Sequence, residues 1–199
     1  MGTIRAMSER NDEEEAYFKA LEIEQRRKLR EKLEASAKDM AEKEAIADSV
    51  KTSDLELAER VKSLGFSGDS ARIFDLLPLV HVAWADGSVQ KSERAAILRV
   101  LETRGVAPGS DAFVLMESLL EERPSAAYME QSLGVLKQLL SQGDGDRKAQ
   151  IVDLCEVVAS SAGGFLGIGT KISQDEREQI ETIVAQLGDG ASSFNQSLE

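Results

Sequence analysis

Residues 80–98 read VHVAWADGSVQKSERAAIL. An apolar helical run breaks at Ala85-Asp86-Gly87, and a second amphipathic run follows with Glu93 in its first turn. A weaker copy of this pattern lies in 151–183, where Ile172 matches Val89, Glu176 matches Glu93, Arg177 matches Arg94 and Ile180 matches Ile97. A repeat of about 80 residues is too long for a solenoid, so it implies one duplicated helical unit. Two such helical hairpins are expected to fold against each other. The second copy has no counterpart of Asp86, and its turn carries a glycine-rich insert, AGGFLGIGTK.

Around this repeat the chain reads as helix throughout. Aromatics make up 5% and there are only three prolines. Ala, Leu, Glu, Lys and Arg are abundant, which favours helix over sheet. Residues 1–10 read as disordered. Residues 11–48 contain neither Gly nor Pro and place Phe18, Leu21, Leu29, Leu33, Ala37 and Met40 near helical spacing. Glu22–Arg26, Glu24–Lys28, Glu34–Lys38 and Asp39–Lys43 are i,i+4 pairs in the favourable order, each worth about 0.2–0.5 kcal/mol. This segment is expected to be a long, largely exposed helix. It is either a solvated arm or a helix for self-association or partner binding, and its apolar stripe is thin for a coiled coil.

Ser53 or Asp54 should cap the next helix, and Gly65 should end it. Asp69 or Ser70 should cap a central helix over 71–85, apolar on every side and bent at Pro78. Ser92 opens the helix that follows or sits in its first turn, with Ile97, Leu98 and Leu101 inward, Val100 a further candidate for that face, and Gly105 at its end. Ser110 or Asp111 starts a short helix, and Pro124 separates that helix from the next. Gly143-Asp144-Gly145-Asp146 reads as a loop, 147–161 as an apolar helix, and Ser173 with Glu176 as a capping box. The fold class is thus all-α: a compact bundle of about seven helices with a long N-terminal helical arm. Its parts are 1–52 (disordered start and charged helix), 53–190 (helical domain) and 191–199 (loose tail).

The formal net charge of −12 disfavours nucleic-acid binding, which needs clustered Lys and Arg, and suits cations or basic protein surfaces. A single cysteine, Cys155, excludes an intramolecular disulfide and reads as a core thiol. One Cys and one His cannot build the usual zinc site. No run approaches the ~18 apolar residues of a membrane span, and no apolar signal core opens the chain, so a cytoplasmic protein is expected. Met7 reads as a candidate natural start, and Leu198-Glu199 as a candidate vector remnant.

Asp86, Gly87, Val89 and Glu93 fit the second half of a calcium-binding EF-hand loop. The first half fails, because Val82 and Trp84 stand where ligands are required. A reduced cation site built on Asp86 and Glu93 stays open beside a plainer reading. In that reading Asp86 satisfies turn amides, Gly87 takes a left-handed conformation and Glu93 favours the helix N-terminus. Asp144-Gly145-Asp146 lacks a following Glu at ligand spacing and reads as a polar loop. Gly164 and Gly169 have phosphate-loop spacing, but Thr170-Lys171 reverses the required order and no strand precedes them. Phe165, Leu166 and Ile168 suit a loop that tucks inward or docks a partner. His81 reads as a packed, hydrogen-bonded histidine and Trp84 as core. No nucleophile stands in a recognisable catalytic setting with His81.

The motif VAWADGSVQKSERAAIL resembles the repeat of tellurite-resistance protein B, and KISQDEREQI extends the likeness to the second copy. The resemblance covers roughly 70–188. It implies an all-α globule of about seven helices, an association with bacterial stress responses often near membranes, and acidic motif residues suspected of binding metal. By matching position Asp86, Glu93 and Glu176 inherit that role, for calcium, magnesium, manganese or zinc. Two functions are expected from this. One is a non-enzymatic interaction module stabilised by a divalent cation, with a protein partner engaged through helix 11–48 or loop 163–170. It would contact a membrane only indirectly. The other is a scaffolding subunit, a homo-oligomer assembled through helix 11–48 with no metal.

Overall fold

The computed structural model describes residues 2–142, 145–162 and 172–187. Among them there are eight α-helices, one 3-10 helix and no strand, so the all-α class stands. The insert 163–171 and the tail from 188 lie outside the described residues, as do Gly143 and Asp144.

Helix α1 spans Gly2–Val50. Its helix begins at Gly2, where a disordered start was expected. Residues 3–10 hold no Pro or Gly, and Ala6, Met7, Glu9 and Arg10 are good helix formers, so nothing local stops propagation. Along the exposed part, Glu22–Arg26 and Glu24–Lys28 pair at 3.4 and 2.8 Å. The chain divides into two compact units, Met1–Glu42 and Lys43–Glu199. Ile46, Ala47 and Val50, near the C-terminal end of α1, are buried in the second unit. Gly68 lies so close that a Cβ there would come within 3.0 Å of the Ala45 Cβ, and Ser49 Oγ donates to Gly68 O at 2.6 Å.

In the second unit, Asp54 caps α2 (Leu55–Ser63) by accepting the Glu56 and Leu57 N–H groups at 2.9 and 3.2 Å. The expected central helix 71–85 is two elements, a 3-10 helix Ser70–Leu76 and α3 Leu77–Ala83. Pro78 falls in the first turn of α3, where its missing N–H is not needed, so it starts a helix instead of bending one. Asp69 makes no capping bond, and the Ser70 hydroxyl accepts the Ser67 N–H at 2.7 Å.

Every residue of α3 is buried, which is the packing its all-round apolarity requires. It lies against α6 (Ala126–Ser141), α7 (Gly145–Ala162) and α8 (Gln174–Leu187), while α4 (Lys91–Thr103) packs on α7. Ser110 and Ser125 cap α5 (Asp111–Glu121) and α6. Trp84, half-buried, packs against the core and donates its indole N–H to Leu119 O at 2.9 Å, tying the end of α3 to α5. No described helix is long and apolar enough to cross a membrane.

Candidate functional site

The acidic turn between α3 and α4 is built by backbone geometry first. Ala85 and Gly87 N–H groups close on Val82 O and Trp84 O at 3.0 and 3.1 Å. Gly87 takes φ +93°, as the tight reversal requires. The Asp86 carboxylate is exposed, and its Oδ1 accepts the Ser88 N–H at 3.0 Å. Gln90 then takes the N-cap position of α4, so Glu93 stands at N3. Glu93 folds back so that its Oε2 accepts the Gln90 N–H at 2.7 Å, and the residue is only 2% exposed.

The second copy repeats this construction. Ser173 precedes α8, Glu176 Oε2 accepts the Ser173 N–H at 2.6 Å, and the Ser173 hydroxyl accepts the Glu176 N–H at 3.2 Å. Glu176 is likewise buried, at 3% exposure. The flanking pairs match as well: Ile97 and Ile180 are in the core, and Val89 and Ile172 pack at its margin. The repeat seen in the letters is therefore a repeat of structure, with a glutamate folded back on each N-cap.

The two copies meet at these glutamates. Burial raises the Glu93 pKa to about 7, against the opposing Gln90 N–H bond. The neighbouring Glu176 carboxyl and then the Asp86 charge contribute to that same upward shift. Two buried carboxyl groups placed close together cannot both ionise cheaply, so the site favours a proton on Glu93. Glu176 Oε1 is buried and has no hydrogen-bond partner. That orphaned acceptor calls for a donor or a positive charge between the glutamates.

Of the three acids expected at a metal site, the structure brings Glu93 and Glu176 together and leaves Asp86 at the surface. Among the described residues, no group of three or more His, Cys, Asp or Glu is placed to hold a metal ion. The physical reason is that Asp86 serves its own turn, while the glutamates are drawn inward by their capping bonds. The pair does fit a single positive charge, either a proton or a cation held by two carboxylates and completed by water. Asp86 contributes field to that position, not a gathered ligand.

His81 is buried with Nε2 3.5 Å from the Ser132 hydroxyl, and burial lowers its pKa to about 4, which keeps the ring neutral. Cys155 is fully buried and its thiol pKa is pushed up, so it is an inert core group. Sequence reading missed Asp75, whose buried carboxylate accepts from Arg104 Nη1 at 2.8 Å and Arg147 Nη2 at 3.4 Å. The available signal was an acid inside an otherwise apolar stretch.

A family model described as "Tellurite resistance protein TerB" matches residues 76–197, a span holding both glutamates and the acidic turn. No curated protein and no solved structure matches the chain.

Proposed function

The chain belongs to the tellurite-resistance protein B family, and from that premise we propose a non-enzymatic protein-interaction module of a bacterial stress-response or membrane-associated system. It works in the cytoplasm, and a divalent cation competes with the proton at the Glu93–Glu176 pair. One observation carries the cation reading: the partnerless Glu176 Oε1, buried against a second carboxyl group. The donors are all carboxylate oxygens, which suits calcium, magnesium or manganese better than zinc. The net charge of −12 favours a partner with a basic surface and disfavours nucleic acid. The partner would engage the helix 11–48 or the loop 163–170, with membrane contact indirect at most.

Calorimetric titration with each of the four ions tests this. Heat is expected from at least one ion, and its loss is expected in the double variant Glu93→Gln/Glu176→Gln. No heat from any ion would leave the pair holding only a proton.

A second reading, a homo-oligomeric scaffold, is favoured by a separate observation. Tyr17, Phe18, Ile23, Leu29 and Leu33 on α1 are all more than half exposed. Apolar side chains repeated along one exposed helix suit a helix–helix contact. Light scattering should then give a multiple of the 21.7 kDa chain mass that falls to a monomer in the fragment 43–199. An unchanged oligomeric number would count against assembly through α1.

A further inference from the structure

We propose that the globule carries an anion-binding pocket, separate from the glutamate pair, that takes a small phosphorylated molecule. The pocket is a cavity of about 650 Å³ whose walls include Lys51, Arg72, Arg104 and Arg147 against two acids, Asp75 and Asp146. Acids outnumber bases 36 to 24 in the whole chain, so a wall with twice as many cations as anions reverses the protein's own bias.

The arrangement is more than a structural ion pair. One arginine would neutralise the buried Asp75, yet two converge on it, Arg104 at 2.8 Å and Arg147 at 3.4 Å. Arg147 is further steadied by donating to Val50 O at 3.2 Å, and Arg72 by donating to Gly105 O at 2.7 Å. These bonds fix the guanidinium groups while leaving other N–H donors for a ligand. Fixed guanidinium forks suit phosphate oxygens. The side chains of Arg72, Arg104 and Arg147 are 38%, 31% and 28% exposed, so they are partly shielded from water without being sealed off.

Lys51 points the same way. Three helices end in the same paired-bond motif, α1 through Thr52 N–H to Ala47 O, α2 through Phe66 N–H to Val61 O and α4 through Val106 N–H to Leu101 O. The left-handed residue is Gly65 in α2 and Gly105 in α4, but in α1 it is Lys51, at φ +60°. A lysine is held in a conformation it disfavours, on the wall of the basic cavity. The volume exceeds what a bare phosphate needs and lies in the range of small-ligand sites. Val106 and Leu139 supply apolar wall for an organic portion.

The test is titration of the full chain with pyrophosphate and with ribose 5-phosphate, using acetate as a control, with amide chemical shifts followed by NMR. Saturable binding of at least one phosphate compound, weaker for acetate, is expected. Shifts should centre on 49–52, 72–75, 104–106 and 146–150. Lys51→Gly should weaken binding about tenfold, as should Arg72→Gln. Lys51→Gly also relieves the backbone, so its loss of binding cannot be ascribed to unfolding. No saturation by about 10 mM, wild-type affinity in both variants, or shifts centred on the basic stretch 26–32 would overturn the proposal.

Discussion

Glu93 and Glu176 lie buried near enough in the interior for the Glu176 charge to act on Glu93, and each accepts the N–H of its own N-cap residue. The duplicated unit therefore joins its halves through two copies of one capping glutamate. A buried like-charge pair would by itself drive the halves apart. A single proton shared by the pair relieves that repulsion, so two matched residues of the repeat are also its point of sensitivity to pH.

That pair sets a pH dependence with a definite sign. The Glu93 pKa is about 7 in the folded chain and near the usual carboxylate value when unfolded. The folded state then holds more protons between these values, so stability is full below about pH 4.3 and falls as pH rises through about 7. The loss is on the order of 3 kcal/mol at most. Urea midpoints at pH 5 and pH 8 should differ in the wild type and converge in Glu93→Gln, whose amide cannot ionise. A slope that persists in Glu93→Gln would assign the effect to other groups.

What the sequence revealed and what it hid divide along a physical line. Local grammar was readable: Asp54, Ser110 and Ser173 cap as expected, and Glu176 completes its box because both partners lie within one turn. The N-cap at Gln90 was harder to see, since glutamine is not a usual cap. Pro78 was misread because an apolar run does not say whether a proline interrupts a helix or begins one. Pairing across the fold was opaque. Asp75 finds Arg104 and Arg147 at separations of 29 and 72 residues, and no periodicity encodes that. The repeat named Glu93 and Glu176 as equivalent but not as neighbours.

The boundary of the folded unit can be measured with two fragments. Fragment 43–199 keeps Ile46, Ala47 and Val50, whereas 53–199 removes all three buried side chains. Burying an Ile or Val side chain is worth about 1.5–3 kcal/mol. The first fragment should melt close to the full chain and the second markedly lower. Equal melting temperatures for the two fragments would show that the end of α1 contributes nothing.

Asp75→Ala should be among the most damaging changes in the globule. It leaves Arg104 and Arg147 facing each other with no anion between them. Removing one partner of a buried ion pair costs about 3–5 kcal/mol, and the partial exposure of both arginines lowers this to about 2–3 kcal/mol. Arg104→Gln should cost less, because Arg147 still neutralises Asp75. Chemical denaturation of both variants checks the order, and a larger loss in Arg104→Gln would reverse the assignment of Asp75 as the hub.

Lys51→Gly should stabilise the chain even though it deletes a side chain. At φ +60° a lysine carries a left-handed penalty of about 1–2 kcal/mol that glycine does not. Glycine's extra freedom in the unfolded chain takes back about 0.4–1 kcal/mol, so a net gain of about 0.5–1 kcal/mol is expected. The terminating bonds of α1, Lys51 N–H to Asp48 O at 3.3 Å and Thr52 N–H to Ala47 O at 3.0 Å, are backbone bonds and survive the change. Lys51→Ala retains the penalty and so separates backbone from charge: it should be no more stable than wild type. If alanine stabilised as much as glycine, the gain would come from removing a cation beside Arg72, Arg104 and Arg147, and the left-handed lysine would carry no strain.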